Sequence, residues 1–202
     1  MEAHDSLVRL AGVAVSAYLI GSVNLSILAA KLARVEGLRE TGSGNPGVTN
    51  LYRVAGAKLA VTVLIADILK ALLAVGLAVP AGIESLRPLI VLPYVMGNLF
   101  PLFHGFKGGK GVAATVGAMA AVNPLIMLLS GGVFFAAFLP FRRISVGSLT
   151  MGYAYPVLGV VLGTSPLFVG VAGVVAVILT VTHRHNILRL IKGCEPKLGE
   201  KH

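Results

Sequence analysis

VAATVGAMAAVNPLIMLLSGGVFFAAFL, Val112–Leu139, runs for 28 residues without a charge, and its division decides how the whole chain threads a bilayer. A hydrocarbon core about 30 Å thick takes about 20 helical residues, so the stretch is long for one span and short for two. Asn123-Pro124 lies inside it, and proline disfavours helix in the residue before it. One tilted helix satisfies the length; so does a hairpin of two short helices turning at Asn123-Pro124.

The flanking sequence decides between them. Further apolar blocks cover about Leu7–Ala30, Leu59–Ala81, Pro88–Phe103, Ser148–Leu162 and Pro166–Val181. With a hairpin the total is seven, and every loop rich in lysine or arginine falls on one side. These loops are Lys31–Lys58, Lys107–Lys110, Arg142–Arg143 and the tail from Arg184. They hold all but Arg9, Lys70 and Arg87 of the 17 basic residues. A single helix would put Arg142–Arg143 and the tail on the opposite side, against the positive-inside bias. The expectation is an all-α integral membrane protein, a bundle of about seven short transmembrane helices. Its N-terminus is outside, its C-terminus is cytoplasmic, and residues 1–202 form a single polytopic domain. Met1–Asp5 is acidic and lacks a basic n-region, so Leu7–Ala30 reads as a retained span rather than a cleaved signal.

Composition agrees. The chain is 56% hydrophobic and 12% charged, against about a quarter charged in an ordinary soluble domain. A formal charge of +9 would raise nucleic acid as a partner of a soluble chain, but here the cations sit between apolar blocks. Membrane lipid is the expected neighbour, and no nucleic acid is. Cys194 stands alone, so neither a disulfide framework nor a thiolate cluster is encoded. Gly152, Gly159, Gly170 and Gly173 are expected to let helices approach closely. Asp67 and Lys70, three apart inside an apolar block, are expected to pair within the bundle, because ionisable groups at membrane depth face the interior.

Three polar segments carry the candidate chemistry. In Thr41–Arg53, Gly42, Gly44 and Gly47 match G-x-G-x-x-G, but the dinucleotide motif needs a strand before it and a helix after it in a βαβ unit. What remains is anion chemistry. Glycines let backbone N–H groups converge on a phosphate, Ser43, Asn45, Thr49 and Asn50 add neutral donors, and Arg53 can grip a phosphate through two parallel hydrogen bonds. In Gly105–Gly111, Lys107 and Lys110 flank Gly108-Gly109. The segment fails the nucleotide P-loop pattern because Gly111 follows Lys110, yet it suits anion binding at a helix N-terminus. The third segment is Thr182-His183-Arg184-His185-Asn186. There His183 can serve as base, phosphate donor or interfacial residue, and Asn186 shares its helical face. No H-E-x-x-H or cysteine pair accompanies it, so neither a metal nor another cofactor is expected.

Together Gly42-Ser43-Gly44-Asn45…Thr49-Asn50…Arg53, Asp67-x-x-Lys70, Phe100-Pro101…Phe106-Lys107-Gly108-Gly109-Lys110-Gly111 and His183-Arg184-x-Asn186-Ile187-x-Arg189-Leu190 resemble, in order, the acyl-phosphate:glycerol-3-phosphate acyltransferase family of bacterial membranes. The resemblance implies a multi-pass protein of the bacterial cytoplasmic membrane. Its reaction would transfer a fatty acyl group from acyl phosphate to the 1-hydroxyl of glycerol-3-phosphate, giving lysophosphatidate for phospholipid synthesis. It implies Ser43 and Arg53 in phosphate binding, and Lys110, Ser148, His183 and Asn186 lining the site. The pair Ser145 and Ser148 matches two serines the family places three apart. Asn98 stands where the family's histidine is expected, His185 where an acid is usual, and Pro46 where a small or aliphatic residue is usual. The rival classes are weaker. A transporter would need a polar path, and the spans offer little beyond Asp67 and Lys70. The soluble-type acyltransferase needs His-x-x-x-x-Asp, which no histidine here supplies.

Overall fold

The computed structural model describes residues 2–200; Met1, Lys201 and His202 lie outside the described residues. All regular structure among them is helical. The α-helices are α1 (Glu2–Gly21), α2 (Leu25–Leu32), α3 (Val48–Ala55), α4 (Ala57–Gly76), α5 (Arg87–Leu99), α6 (Val112–Val122), α7 (Pro124–Phe141), α8 (Ile144–Val161), α9 (Pro166–Thr182) and α10 (Arg184–Ile191). Five segments are long and apolar enough to cross a membrane: His4–Leu32, which joins α1 and α2, Ala57–Gly76, Glu84–His104, Pro124–Phe141 and Ile144–Val161. The bent pair α9–α10 makes a sixth, and α6 is a shorter apolar helix.

The undecided stretch is two helices. Asn123 is extended (φ −146°, ψ 95°), and its Oδ1 accepts from Ile126 N at 3.0 Å, with Pro124 in the first turn. Proline opens α7 because its fixed φ suits the first turn and its missing N–H would be unpaired there anyway. Ser165-Pro166 repeats the device: Ser165 Oγ accepts from Phe168 N at 3.2 Å at the start of α9. The first apolar block departs from expectation. It is interrupted at Ser22–Asn24, where Asn24 Oδ1 caps α2 by accepting from Ile27 N at 3.0 Å.

The chain forms two compact units, Met1–Val122 and Asn123–His202. In the first, α4 packs on α1, α2, α3, α5 and α6, while α1 lies along α5. A Cβ at Gly21 would meet the Tyr94 carbonyl oxygen at 2.3 Å, and one at Gly97 would meet that of Tyr18 at 2.2 Å. The two backbones therefore touch where each helix has no side chain. Along α4, Val61, Ile65, Leu69 and Leu73 recur every fourth residue and are exposed, while Ala60, Val63, Asp67, Ala71 and Ala74 are buried. Lipid meets the first stripe and protein the second. Asp67 is on the protein side, with its Oδ1 3.0 Å from Lys70 Nζ, and the expected ion pair is present.

In the second unit α8 packs against α7 and α9, and α10 leaves α9 at 62°. Gly152 and Gly159 serve close packing, since a Cβ at either would crowd Leu179 (2.8 Å) or Phe168 (3.1 Å). Gly170 and Gly173 do not, contrary to expectation. Nothing lies within 4 Å of a Cβ at either, because both point away from neighbouring helices.

Candidate functional site

The first glycine-rich segment folds around one side chain. Asn50, fully buried on α3, donates through Nδ2 to the carbonyls of Leu38 (2.7 Å) and Thr41 (3.1 Å) and accepts through Oδ1 from Ser43 N (2.8 Å). Both its amide hydrogens are spent, so the expectation of Asn50 as a phosphate donor is corrected: it shapes the loop that would hold the anion. Gly42 (φ +62°) makes room for it, since a Cβ there would lie 2.3 Å from Asn50 Oδ1. Gly44 (φ +66°) completes the turn by donating to Thr41 O at 3.1 Å. Gly47 caps α3 without a side-chain bond, so the N–H groups of the first turn, Val48 and Thr49, lack partners within the helix, as at any helix N-terminus. Ser43 is exposed, while Asn45 and Thr49 are half-buried.

Arg53 lies one turn beyond Asn50. A Cβ at Gly42 would be 3.8 Å from Arg53 Cδ, so the arginine stem runs beneath the loop. Its Nε is buried and has no hydrogen-bond partner. A buried guanidinium donor left unpaired is costly, and an anion bound at the loop would satisfy it.

The second glycine-rich segment adjoins the first. After α5, Phe106 N returns to Pro101 O (2.9 Å) and Gly108 N to Leu99 O (3.0 Å). Gly108 sits so close to the end of α5 that a Cβ would lie 2.1 Å from Asn98 O. A Cβ at Gly109 would meet Pro46 O at 3.7 Å and Gly47 Cα at 3.9 Å, so the two loops are in contact. Arg39 also joins them, donating from Nη2 to Lys107 O at 2.9 Å. The Lys107 side chain is exposed and Lys110 half-buried. Gly111 O then accepts from Thr115 N (2.8 Å) and Thr115 Oγ1 (2.7 Å), which starts α6 directly after Lys110, as the spacing predicts. Within the first unit, then, Gly42–Arg53 and Lys107–Lys110 form one basic, glycine-lined surface.

In the second unit Asn186, with Ser145, is held by an acid that sequence reasoning missed. Glu195 Oε1 accepts from Asn186 Nδ2 (2.6 Å) and Ser145 Oγ (2.7 Å), and Oε2 from Arg189 Nε (2.7 Å). Its carbonyl accepts from Arg143 Nε at 2.9 Å. Burial pushes its carboxyl pKa up, but the hydrogen bonds from Asn186, Ser145 and Arg189 and the Arg189 charge outweigh burial and hold it below the ordinary value. His183 is buried at the junction of α9 and α10, with Nδ1 2.8 Å from Leu179 O. That contact requires the hydrogen on Nδ1 in the neutral ring, which makes Nε2 the nitrogen with a lone pair. Ser148 is fully buried and donates to Ile144 O at 2.9 Å within its own helix.

A sequence profile described as glycerol-3-phosphate acyltransferase matches residues 11–193. The chain belongs to this family. A glycerol-3-phosphate acyltransferase of Cupriavidus taiwanensis is 36% identical over 93% of this chain and 96% of its own length. The fold matches the crystal structure of PlsY (YgiH), an integral membrane glycerol 3-phosphate acyltransferase, in its glycerol 3-phosphate form, with a TM-score of 0.88 and 36% identity over 93% of this chain and 94% of that one. The lysophosphatidic acid form of the same protein matches with a TM-score of 0.86 and 35% identity, over the same shares. The acyltransferase resemblance read from the four ordered motifs is thereby shown, as is a multi-pass membrane architecture.

Beyond those motifs, Arg39 and Asn24 hold the loops of the first unit and Glu195 holds the polar cluster of the second. Glu195 carried one available signal: no acid stands between Glu84 and Glu195, and it falls in a strongly basic tail. Arg39 and Asn24 act through backbone carbonyls far along the chain, and nothing local marks them.

Proposed function

We propose that this acyltransferase moves a fatty acyl group from acyl phosphate to the 1-hydroxyl of glycerol-3-phosphate, releasing inorganic phosphate and lysophosphatidate. The observation that carries the reading is the buried, unpartnered Nε of Arg53 beneath Gly42, beside a loop whose shape is fixed by Asn50 and whose neighbour supplies Lys107 and Lys110. Both substrates are phosphates, and this surface is built for phosphate. Ser43, Asn45, Thr49, Arg53 and the backbone N–H groups of Val48 and Thr49 would bind them, on turns shaped by Gly42, Gly44, Gly47, Gly108 and Gly109. The N–H groups of Gly44, Gly47 and Gly108 are spent on the carbonyls of Thr41, Asn45 and Leu99, and Lys110 would offset charge at the developing oxyanion.

Acyl phosphate is a mixed anhydride with a good leaving group, so no covalent enzyme intermediate is needed. The glycerol hydroxyl attacks the acyl carbon; its proton goes to a substrate phosphate oxygen; the C–O bond to phosphate breaks. Holding two anions in register can itself supply several kcal/mol. His183, with Nδ1 tied to Leu179 O, would orient the acceptor through Nε2, and Asn186, held by Glu195, would support it. Ser148 would line the site as an acceptor, its proton being spent on Ile144 O. The fatty tail would lie among apolar helices.

The same reading takes α1, α4, α5, α6, α7, α8 and α9 as seven spans of one domain, with the N-terminus outside and the basic loops in the cytoplasm of a bacterial inner membrane. At about 1.5 Å per residue, α6 is only about 17 Å long, and the basic loops on either side of the α6–α7 pair support counting it as a span.

Purified protein in lipid is given labelled glycerol-3-phosphate and, separately, acyl phosphate, acyl-CoA or acyl-carrier protein. Lysophosphatidate is expected with acyl phosphate alone; product from a thioester would overturn the donor assignment. Lack of product with every donor would favour transport of a phosphorylated solute. His183→Ala should reduce kcat by less than about 10⁴-fold, the range of general acid–base catalysis, and a larger loss would give His183 a further role.

A further inference from the structure

The Asp67–Lys70 pair takes no part in the chemistry above, yet it occupies an apolar span with side chains only 8% and 12% exposed. Its third contact shows what it does. Lys70 Nζ donates to the carbonyl oxygen of Val23, inside the interruption between α1 and α2. In a continuous helix that carbonyl would accept from Ile27 N, but Ile27 N is taken by Asn24 Oδ1 at 3.0 Å. An unpaired carbonyl within a bilayer is costly. Lys70 supplies the missing donor, Asp67 balances its charge, and the Tyr94 ring lies 6.0 Å from Nζ.

The interruption stabilised in this way has its own outward contact. Asn24 caps α2 with its oxygen and uses Nδ2 to hold Pro46 O at 3.1 Å. Pro46 stands between Asn45 and Gly47 in the first glycine-rich loop, and its carbonyl is the atom nearest a Cβ at Gly109 in the second. A continuous series of contacts thus runs from Asp67 through Lys70, Val23 and Asn24 to the place where the two loops meet.

We propose that Asp67 and Lys70 are positioning residues for the phosphate-binding loops. They fix the break in the first span, and through it the side chain that sets the height of Pro46. The inference rests on the phosphate-binding reading of these loops. It assigns the ion pair a role beyond joining α4 to the bundle: a pair that merely anchored helices would not need a backbone carbonyl at a helix break as its third partner.

The test uses the full chain in lipid nanodiscs with Lys70→Met, the doubly neutral Asp67→Asn/Lys70→Gln, and Asn24→Ser. Serine keeps a cap for α2 but is too short to reach Pro46, and it leaves no charge unpaired should Lys70→Met fail to fold. Hydrogen exchange across residues 42–51 should accelerate about tenfold in each folded variant, with α7–α9 unchanged. KM for at least one phosphate substrate should rise about tenfold to hundredfold, the scale of small misplacements, with kcat changed far less. Combining Lys70→Met with Asn24→Ser should add little to either single change, as expected for groups acting in series. Unchanged loop exchange, acceleration spread evenly over the first unit, or additive losses would each overturn the proposal. So would a loosened loop with both KM values intact. Inactivity of the unsubstituted protein with every donor would instead sink the enzymatic reading, and hydrogen exchange would still decide this one.

Discussion

Two regions of the molecule each collect three contacts on one buried side chain, by different physics. Around Asn50 the hub is a neutral amide that reaches Leu38, Thr41 and Ser43, all within 12 residues along the chain. Around Glu195 it is a carboxylate that reaches Arg189 and Asn186 nearby and Ser145 at a separation of 50 residues. An amide both donates and accepts, so it can gather carbonyls and an N–H together, as a tight loop requires. A carboxylate only accepts and gathers donors from separate elements. The first hub is encoded locally and carries no charge; the second joins the tail to α8 and α10 and depends on ionisation.

The contrast is sharpest on removing the hubs. Asn50→Leu keeps the volume but leaves two carbonyls and the Ser43 N–H unpaired, at about 1–3 kcal/mol for each buried group. Activity should fall more than a hundredfold together with thermal stability, and a variant with normal kinetics would break the assignment of Asn50 as loop organiser. Glu195→Ala should cost less, because it strands two buried donors, Ser145 Oγ and Asn186 Nδ2, at about 1–3 kcal/mol each, while Arg189, 37% exposed, can turn to water. Its activity should fall through loosened Asn186, with Glu195→Gln recovering part of the loss since an amide oxygen still accepts.

Acid separates the regions without mutation. Because the Glu195 pKa is held below its ordinary value, its contribution is complete at neutral pH and above the unfolded value. It is lost as pH falls through the lowered folded value. Exchange of the 189–198 segment should therefore rise in acid while that of 42–51 does not, and Glu195→Gln should flatten the difference. Equal acid sensitivity in both segments would remove the charged-hub account. Salt should act least. The Arg189 side chain is 37% exposed, so raising ionic strength should weaken the tail by under about 1 kcal/mol, seen as a small shift in its melting, and leave the Asn50 loop untouched.

The same contrast explains what the sequence revealed. Apolar blocks were legible because a bilayer imposes length residue by residue, and the basic segments because they fall between those blocks. The four motifs were legible because their residues lie close together along the chain. Asn123-Pro124 was ambiguous because proline can end one helix or begin the next, and only the Asn123 cap to Ile126 shows which. The break at Ser22–Asn24 was not legible: it contains neither glycine nor proline, and its stabilising donor arrives from Lys70. Asn50 was expected to face the phosphate and instead faces the loop, because residue type gives hydrogen-bonding capacity but not direction. Gly170 and Gly173 were misread for a similar reason, since composition does not say which side of α9 meets protein. Glu195 has Asn186 and Arg189 near it in sequence, but only the fold brings Ser145 to it across 50 residues and turns all three donors onto one carboxylate.

The interruption at Val23 also bears on the order in which the chain is made. α1 and α2 leave the ribosome before α4, so the first span enters the membrane region with Val23 O lacking the donor that completes it. Lys70 arrives only after the Gly42–Arg53 segment has been synthesised on the cytoplasmic side in the proposed topology. The first span is therefore finished by the second long one, and the loop between them takes its final form after both are in place. Biogenesis must tolerate an unfinished helix for the length of that loop, and insertion of α4 is the event that closes it.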